Sequence, residues 1–389
     1  MPTGAYEVRE TQFDSSQAYL KASVLRCGRR EANSLSVAAT TPYTRRSRAA
    51  REKAISETFI PLDRQKIESL ADAPEAVSRF VAARTLASDS SPSVYFPAYR
   101  VAPSERLISD GAARFMNDLS MVASNDIYVP PTLLFSEEDS RSPDQRRSLY
   151  FSLLRRALKA KRSSTHGEVV PGVLVPKFLG YGSMISLFDA FGEEDARPSF
   201  VAIDFGNSRI SDPGIQQKLA WVHRYFRSNR IRNYFVHALR VRPRKRGLIP
   251  ADAEDMATFL SGVDTIGPVR RGAPTTIPSF DWDSLIAFSH RDYSYGRLDG
   301  KTSCLRDFEE FLSANRVDAP PLGQRPQKRD SAYLGHVRDF NRWALNSEGM
   351  TLFELVISSN LDGVRRRLAG KRGLGLARQV RNRASEGFL

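Results

Sequence analysis

Cysteine and histidine are scarce in this 389-residue chain, which holds two of the former, Cys27 and Cys304, and five of the latter. Two cysteines can close one bridge at most, and they read more simply as the reduced thiols of a cytoplasmic protein. No two histidines share the spacing of metal ligands, and a tetrahedral zinc needs four donors, so no metal is expected. Long apolar runs are missing as well. The longest, residues 169 to 181, is broken by Pro171, Gly172, Pro176 and Lys177, well short of the ~20 residues that cross a bilayer. The opening MPTGAYEVRE lacks a basic start followed by an apolar core, so neither a membrane span nor export is expected. No Walker loop, GxGxxG fingerprint, serine elbow or HExxH occurs. The chain therefore reads as cofactor-free.

What the chain does have is a hydrophobic content of 41%, normal for a protein with a real core, and a formal charge of +14. That charge is concentrated. Between Arg224 and Arg246 stand nine basic residues and no acid: Arg224, Arg227, Arg230, Arg232, Arg240, Arg242, Arg244, Lys245 and Arg246. Between Val364 and Arg383 stand eight more, again without an acid: Arg365, Arg366, Arg367, Lys371, Arg372, Arg378, Arg381 and Arg383. Without these 17, the remaining 41 of 58 basic residues face 44 acids, so the rest of the chain is close to neutral. Arginine grips phosphate through two parallel hydrogen bonds, and a concentrated basic field draws a polyanion by releasing its counterions. The two windows point to DNA or RNA as a partner; the alternative is a solvated face or tail.

Short β-rich runs recur along the chain: VYFPAYRV (94 to 101), DIYVPPTLLF (126 to 135), GVLVPKFLGYG (172 to 182), FVAIDFG (200 to 206), NYFVHALRV (233 to 241), VDTIGPV (263 to 269) and SLIAFSH (284 to 290). Helical patterns alternate with them. At 215 to 229, Ile215, Leu219, Val222 and Phe226 fall on one face. A helix is also expected from 251 to 260, after the acids Asp252, Glu254 and Asp255, and another from 63 to 86. Alternating apolar strands and helices predict a parallel sheet covered by helices. With SLSVAATT (34 to 41) as an eighth run, the count suits a (β/α)8 TIM-like barrel, with an open doubly wound parallel sheet as the alternative. The expected organisation is an N-terminal basic extension over 1–92, an α/β barrel core over 93–300 and a helical, basic region over 301–389. In either architecture the chemistry sits at the carboxyl ends of the strands, where Asp204, His237, Arg240, Asp281 and His290 would lie. After Asp204, the stretch GNSRISDPG and an amphipathic pattern favour a turn into a helix, with Asn207 and Asp212 as turn or helix-cap residues, over a phosphate-binding hairpin.

The stretch SFDWDSLIAFSHRDYSYGRLDGKT, 279 to 302, carries a resemblance. Phe-Asp followed by a Ser/Ala-rich strand, then Tyr and Gly, resembles the nucleophile region of the tRNA-guanine transglycosylase superfamily, which includes DNA-modifying relatives that insert 7-deazaguanine bases. SCLRDFEEFL (303 to 312) and GHVRDFNRW (335 to 343) are faintly similar to the family's C-terminal segments. The resemblance implies a (β/α)8 barrel and a transferase that replaces guanine by a 7-deazaguanine base through an aspartyl glycosyl-enzyme. Asp281 would be the nucleophile, with Asp283 as fallback, and Asp204 would read the incoming base or shuttle its proton. Trp282, Tyr293 or Tyr295 would stack on a nucleotide drawn out of its helix. This chain departs from the family by lacking its early Asp-Ser-Gly-Gly-Phe-Gln segment, its glycine-rich substrate loop and its three clustered zinc-binding cysteines. A non-catalytic nucleic-acid-binding scaffold within a modification or defence complex is the alternative.

Overall fold

The computed structural model describes residues 6–14, 18–40, 54–71, 75, 79–81, 91–121, 126–162, 169–193, 197–242, 251–268, 286–298, 303–315, 331–372 and 374–385. Asp281, Trp282, Asp283, Arg244, Lys245, Arg246 and His166 lie outside these residues.

The chain begins with an antiparallel sheet of β1 (Tyr6–Asp14), β2 (Tyr19–Cys27) and β3 (Arg30–Asn33). Then come β4 (Ser36–Val37), β5 (Ala39–Thr40), β6 (Ser56–Leu62), α1 (Arg64–Ala71), β7 (Ser93–Arg100), α2 (Asp110–Ser120), β8 (Ile127–Tyr128), β9 (Thr132–Leu134) and α3 (Pro143–Arg162). The alternation continues through β10 (Val170–Val175), α4 (Gly182–Glu193), β11 (Phe200–Asp204), α5 (Pro213–Ser228), β12 (Phe235–Val241), β13 (Ala251–Asp252), α6 (Glu254–Phe259) and β14 (Thr265–Pro268). The remainder is β15 (Ile286–Ser289), β16 (Ser294–Arg297), α7 (Ser303–Ala314), α8 (Ser331–Ile357), α9 (Leu361–Leu368) and α10 (Leu374–Ser385).

Ten strands form the central sheet, in the order β4-β14-β12-β11-β10-β8-β7-β6-β5, with β9 beside β7. The pairings are parallel. This is the mixed α/β, mostly parallel architecture that the alternating pattern predicts. Chain order runs one way across the sheet, without the reversal that defines a doubly wound fold, so the open doubly wound alternative does not describe it. β4 and β5 are halves of one extended segment. The Ala38 amide donates to Ile266 of β14 (2.8 Å), while the Ala39 amide donates to Ile55, just before β6 (2.7 Å).

Three expectations change. The run at 284 to 290 is not a parallel strand: β15 pairs antiparallel with β16, and both join β13 in a separate sheet. Only residues 290–293 separate the two strands, too few for a crossover helix. The sheet instead gains β6, which the polar Ser56, Glu57 and Thr58 disguise, although all three are buried. β4, β5 and β6 thus belong to the central sheet, and the boundary expected at residue 92 falls inside it.

Each face of the sheet has its own core. Tyr95, Tyr99, Val173, Val175, Val201, Ile203, Val236 and Ala238 share a cluster with apolar residues of the helices. Their neighbours on the opposite face, Val94, Phe96, Val170, Leu174, Phe200, Ala202, Phe235 and Leu239, share a second cluster with Ile127, Val129, Ile55 and the Val8, Leu25, Cys27 and Ala32 of the β1–β3 sheet. No described helical residue enters this second cluster. Parallel strands buried on both faces read as unbroken apolar runs, as VPGVLV and FVAID do. Against the entry to β4, helix α8 comes so close that a Cβ on Gly349 would fall on the Leu35 carbonyl oxygen.

Candidate functional site

At the carboxyl end of β11, Asp204 is nearly buried. Its Oδ1 accepts from the Gly206 amide (2.8 Å) and from Arg240 Nε (2.8 Å), and its Oδ2 accepts from Arg240 Nη2 (2.5 Å). This fork-to-carboxylate pairing has a backbone cause. The register of β12 against β14 shifts between Ala238 and Val241, and Arg240 there takes φ 56°. Bulges of this kind re-aim a side chain at a strand end. The Arg240 guanidinium also lies 4.8 Å from the centre of the Phe59 ring. Gly206 and Asn207 follow Asp204 at φ 52° and 67°, the Asn207 amide donates to the Arg240 carbonyl (3.1 Å), and α5 then starts on an Asp212 cap that accepts from the Gly214 amide. The stretch after Asp204 is a turn into a capped helix, as the sequence predicts.

Two lysines complete this end. Lys177 Nζ donates to the Gly206 carbonyl (3.2 Å). Lys218, on α5, donates to the carbonyls of Pro176 (3.1 Å) and Lys177 (2.5 Å). Burial pulls the Lys218 ammonium down to about 8, against the opposing pull of Asp204 and Asp212. The sequence offers no signal for this buried lysine, since it sits on a helix whose other cations face solvent. Chemically, both Asp204 oxygens are occupied by the Arg240 guanidinium. That is the geometry of a positioned anion, and proton transfer or attack through either oxygen requires Arg240 to move aside.

Deeper within the helix-free core lies a polar line of three residues. His237 Nδ1 is 2.9 Å from Thr265 Oγ1, and its Nε2 is 3.2 Å from Glu57 Oε2. The imidazole stacks on Phe96 (5.6 Å between centres) and Phe200 (5.8 Å). Gly267 makes room for the acid, because a Cβ there would fall on the Glu57 carboxylate. His237 is therefore a packed interior residue and not a strand-end base. His290 is part-exposed, with Nδ1 3.6 Å from Asp307.

The amino-terminal end of the sheet is closed by the β1–β3 sheet through a buried charge cluster. Lys21 Nζ contacts Asp264 (3.1 Å), Glu10 (3.2 Å) and the Tyr234 carbonyl (2.5 Å), and sits 3.7 Å from the Tyr234 ring centre. Beside it, His223 Nε2 is 3.0 Å from the Ser261 carbonyl and Nδ1 2.9 Å from the Tyr234 hydroxyl. A carbonyl only accepts, so the ring proton is on Nε2 and Nδ1 accepts from Tyr234. Burial first, and the Lys21 charge second, depress the imidazole to about 3. The unfolded chain therefore binds a proton that the native state refuses. Stability from this group is full above about pH 6.5 and is lost as pH falls toward 3, by up to ~1.4 kcal/mol per pH unit. In His223→Gln, which keeps a donor for Ser261, the urea midpoint is expected to fall less between pH 7 and pH 4 than in the parent.

The basic windows are divided by the fold. Arg227 and Arg230 are exposed and Arg224 part-exposed at the carboxyl-terminal end of α5, which is the amino end of the strands. Arg240, near the end of β12, and Arg242, just after it, lie at the opposite end. In the second window, Arg365 and Arg366 are exposed on α9. Arg367 instead forks onto buried Glu348, donating from Nε at 2.8 Å. Lys371 donates to the carbonyls of His290 (2.6 Å) and Arg291 (2.7 Å), and Arg372 reaches Asp252 at 3.7 Å. Helix α10, with Arg378, Arg381 and Arg383, packs along α5. Tyr293 and Tyr295, considered above as base-stacking residues, are buried and bonded to Glu348 and Asp255. Both cysteines are buried and unpaired. Among the described residues no group of His, Cys, Asp or Glu is placed to hold a metal ion, and no helix is long and apolar enough to cross a membrane.

No family model matches the chain, and no curated protein matches it. Among solved structures, the biosynthetic arginine decarboxylase SpeA from Campylobacter jejuni is matched at 8% identity and a TM-score of 0.25, over 85% of this chain and 55% of that one. The chain thus spans about half the length of that decarboxylase, and a likeness this slight carries no argument about fold or activity.

Proposed function

We propose that this protein binds nucleic acid through a basic helical surface carried on a closed eight-stranded barrel. The observation that carries the reading is the packing of α10 along α5, because it sets the helix that carries Arg378, Arg381 and Arg383 against the helix that carries Arg224 and Arg227, from windows more than a hundred residues apart in sequence. Such a surface, on a molecule whose charge is otherwise balanced, suits a phosphate backbone. Closure of the sheet is supported by the Ser36–Thr40 segment, which pairs with β14 through one half and β6 through the other. It is also supported by the Glu57–His237 contact of 3.2 Å. In a flat sheet β6 and β12 would stand about 24 Å apart, five strand spacings. A parallel sheet with no helices over one face buries that face by curling around it. Salt-dependent binding tests the reading and is argued in the Discussion.

That closure favours a second reading, the base exchange that the transglycosylase resemblance implies. In it the Asp281 carboxylate attacks the anomeric carbon as the bond to guanine breaks, and a 7-deazaguanine base then attacks the same carbon and frees the carboxylate; Asp204, once Arg240 lets go, reads the incoming base and passes the proton it gives up to the departing guanine, and Asp283 is the fallback nucleophile. The test is a covalent adduct with nucleic acid on a denaturing gel, formed in the presence of a poor incoming base and lost in Asp281→Asn. Binding without an adduct in either protein removes this reading and leaves the scaffold.

A further inference from the structure

We infer that the cavity between the ends of α4 and α5 receives one unstacked purine base of a bound single strand, guanine above others. The inference rests on the nucleic-acid reading above and adds a specific site to it. The cavity has a volume of about 390 Å³ and lies at the amino edge of β11 and β12, away from Asp204. That volume is in the range of small-molecule sites.

One wall of the cavity is aromatic. Phe188 and Tyr225 have ring centres 4.5 Å apart, and Trp221 stacks behind Tyr225 at 5.3 Å and 23°, so the tyrosine ring is backed by a second ring. A pre-packed aromatic of this kind is the platform on which an unstacked base settles. The polar lining is mixed: Asp189, Arg197 and Asn229, all exposed. Asn229 is held in place, its Nδ2 donating to the Tyr225 carbonyl (2.8 Å). Burial raises the Tyr225 hydroxyl, Asp189 adds to that rise and Arg197 opposes it, so the acid and the guanidinium act on one point of the wall.

A carboxylate accepts from two adjacent N–H groups, and a guanidinium donates to a keto oxygen or ring nitrogen. Guanine offers both edges: neighbouring ring and exocyclic donors on one side, and two acceptors on the other. Uracil and cytosine lack that combination. Outside the cavity, the next turn of chain carries exposed Arg230 and Arg232, with Arg230 held at φ 54° between the lining residues Asn229 and Ile231. Neither makes an ion pair with another described residue. They stand where phosphates on either side of an inserted base would pass, and drawing one base out of a single strand costs less than extracting it from a duplex.

The experiment uses the full chain and three probes: GMP, a single-stranded oligonucleotide with one central guanine, and the same strand with an abasic site there. GMP is expected to quench tryptophan emission saturably, and Asp189→Asn and Tyr225→Leu each to weaken GMP binding roughly tenfold. Wild type should prefer the intact over the abasic strand by a similar factor, and Tyr225→Leu should lose that preference. Asp189 is exposed, so its variant folds and keeps the test decisive should Tyr225→Leu not fold. If both strands bind equally and GMP does not quench, the cavity proposal falls while nucleic-acid binding stands. If GMP binds as expected but no strand does, the basic-surface reading falls and the cavity remains a guanine-nucleotide site. GMP binding untouched by Asp189→Asn also overturns the proposal.

Discussion

Lys21→Met is expected to cost about 3–5 kcal/mol of folding stability, read as a lower urea midpoint at unchanged slope. The lysine is fully buried, and its head group is the counter-charge of Asp264 and Glu10. Burial alone would pull the ammonium down, yet the two acids outweigh it and its net direction is up. Methionine fills similar volume, so the loss is mostly the stranded acid charge and little of it is packing. Asp264 discriminates between these causes. Its carboxyl is already raised to about 6 by burial, against the pull of Lys21 and of the Val236 amide, which donates to Oδ2 at 2.6 Å. Removing Lys21 pushes it further up. The native state of the variant then gains a proton as pH falls, so the penalty relative to the parent shrinks between pH 8 and pH 5. Adding Asp264→Asn should return part of the loss, giving a double-mutant coupling of 1 kcal/mol or more, where a pure cavity would give about none. A penalty equal at both pH values would show that Lys21 acts by packing.

The sheet was legible where its strands are apolar throughout, and illegible where polar residues face inward. VPGVLV and FVAID declare themselves because both faces are buried. SETFIPL does not, because Ser56 and Glu57 look like surface residues while the Glu57 carboxylate in fact faces His237 inside the core. SLIAFSH has the composition of a core strand, and only the short turn to the next strand, with Tyr293 at φ 55°, makes it half of a hairpin. Helix α5 was legible from its Asp-Pro-Gly start and its four-residue apolar repeat. The arginine windows were visible as charge but not as place. A bulge folds Arg240 onto Asp204, and a buried glutamate takes Arg367, so two of the arginines assigned to nucleic acid serve the fold. Lys21 and Lys218 show the same limit from the other side, since nothing in a sequence distinguishes a buried lysine from a solvated one until its partners are known.

The second large effect concerns the salt dependence of binding. Each phosphate neutralised on a single strand contributes about −0.7 to the slope of log affinity against log salt, and about −0.9 on a duplex. With about eight duplex contacts, affinity is expected to fall about 10⁴-fold between 50 and 200 mM salt. The residues to remove are those the fold does not use: Arg230, Arg232, Arg366 and Arg378 are exposed and make no ion pair with another described residue. Changing all four to glutamine should halve the slope, so that the same salt step costs about 10²-fold, and should leave the melting temperature within a few degrees. Arg367→Gln and Lys371→Gln form the opposing control. Arg367 is bound to Glu348 and Lys371 to two backbone carbonyls, so these variants should lower stability and leave the slope unchanged. If instead the quadruple variant keeps the wild-type slope, the exposed arginines after α5 and on α9 and α10 form a solvated face, and their charge serves solubility and not recognition. If Arg367→Gln lowers the slope while the four exposed arginines do not matter, the polyanion docks on the α8–α9 side and the two windows act separately.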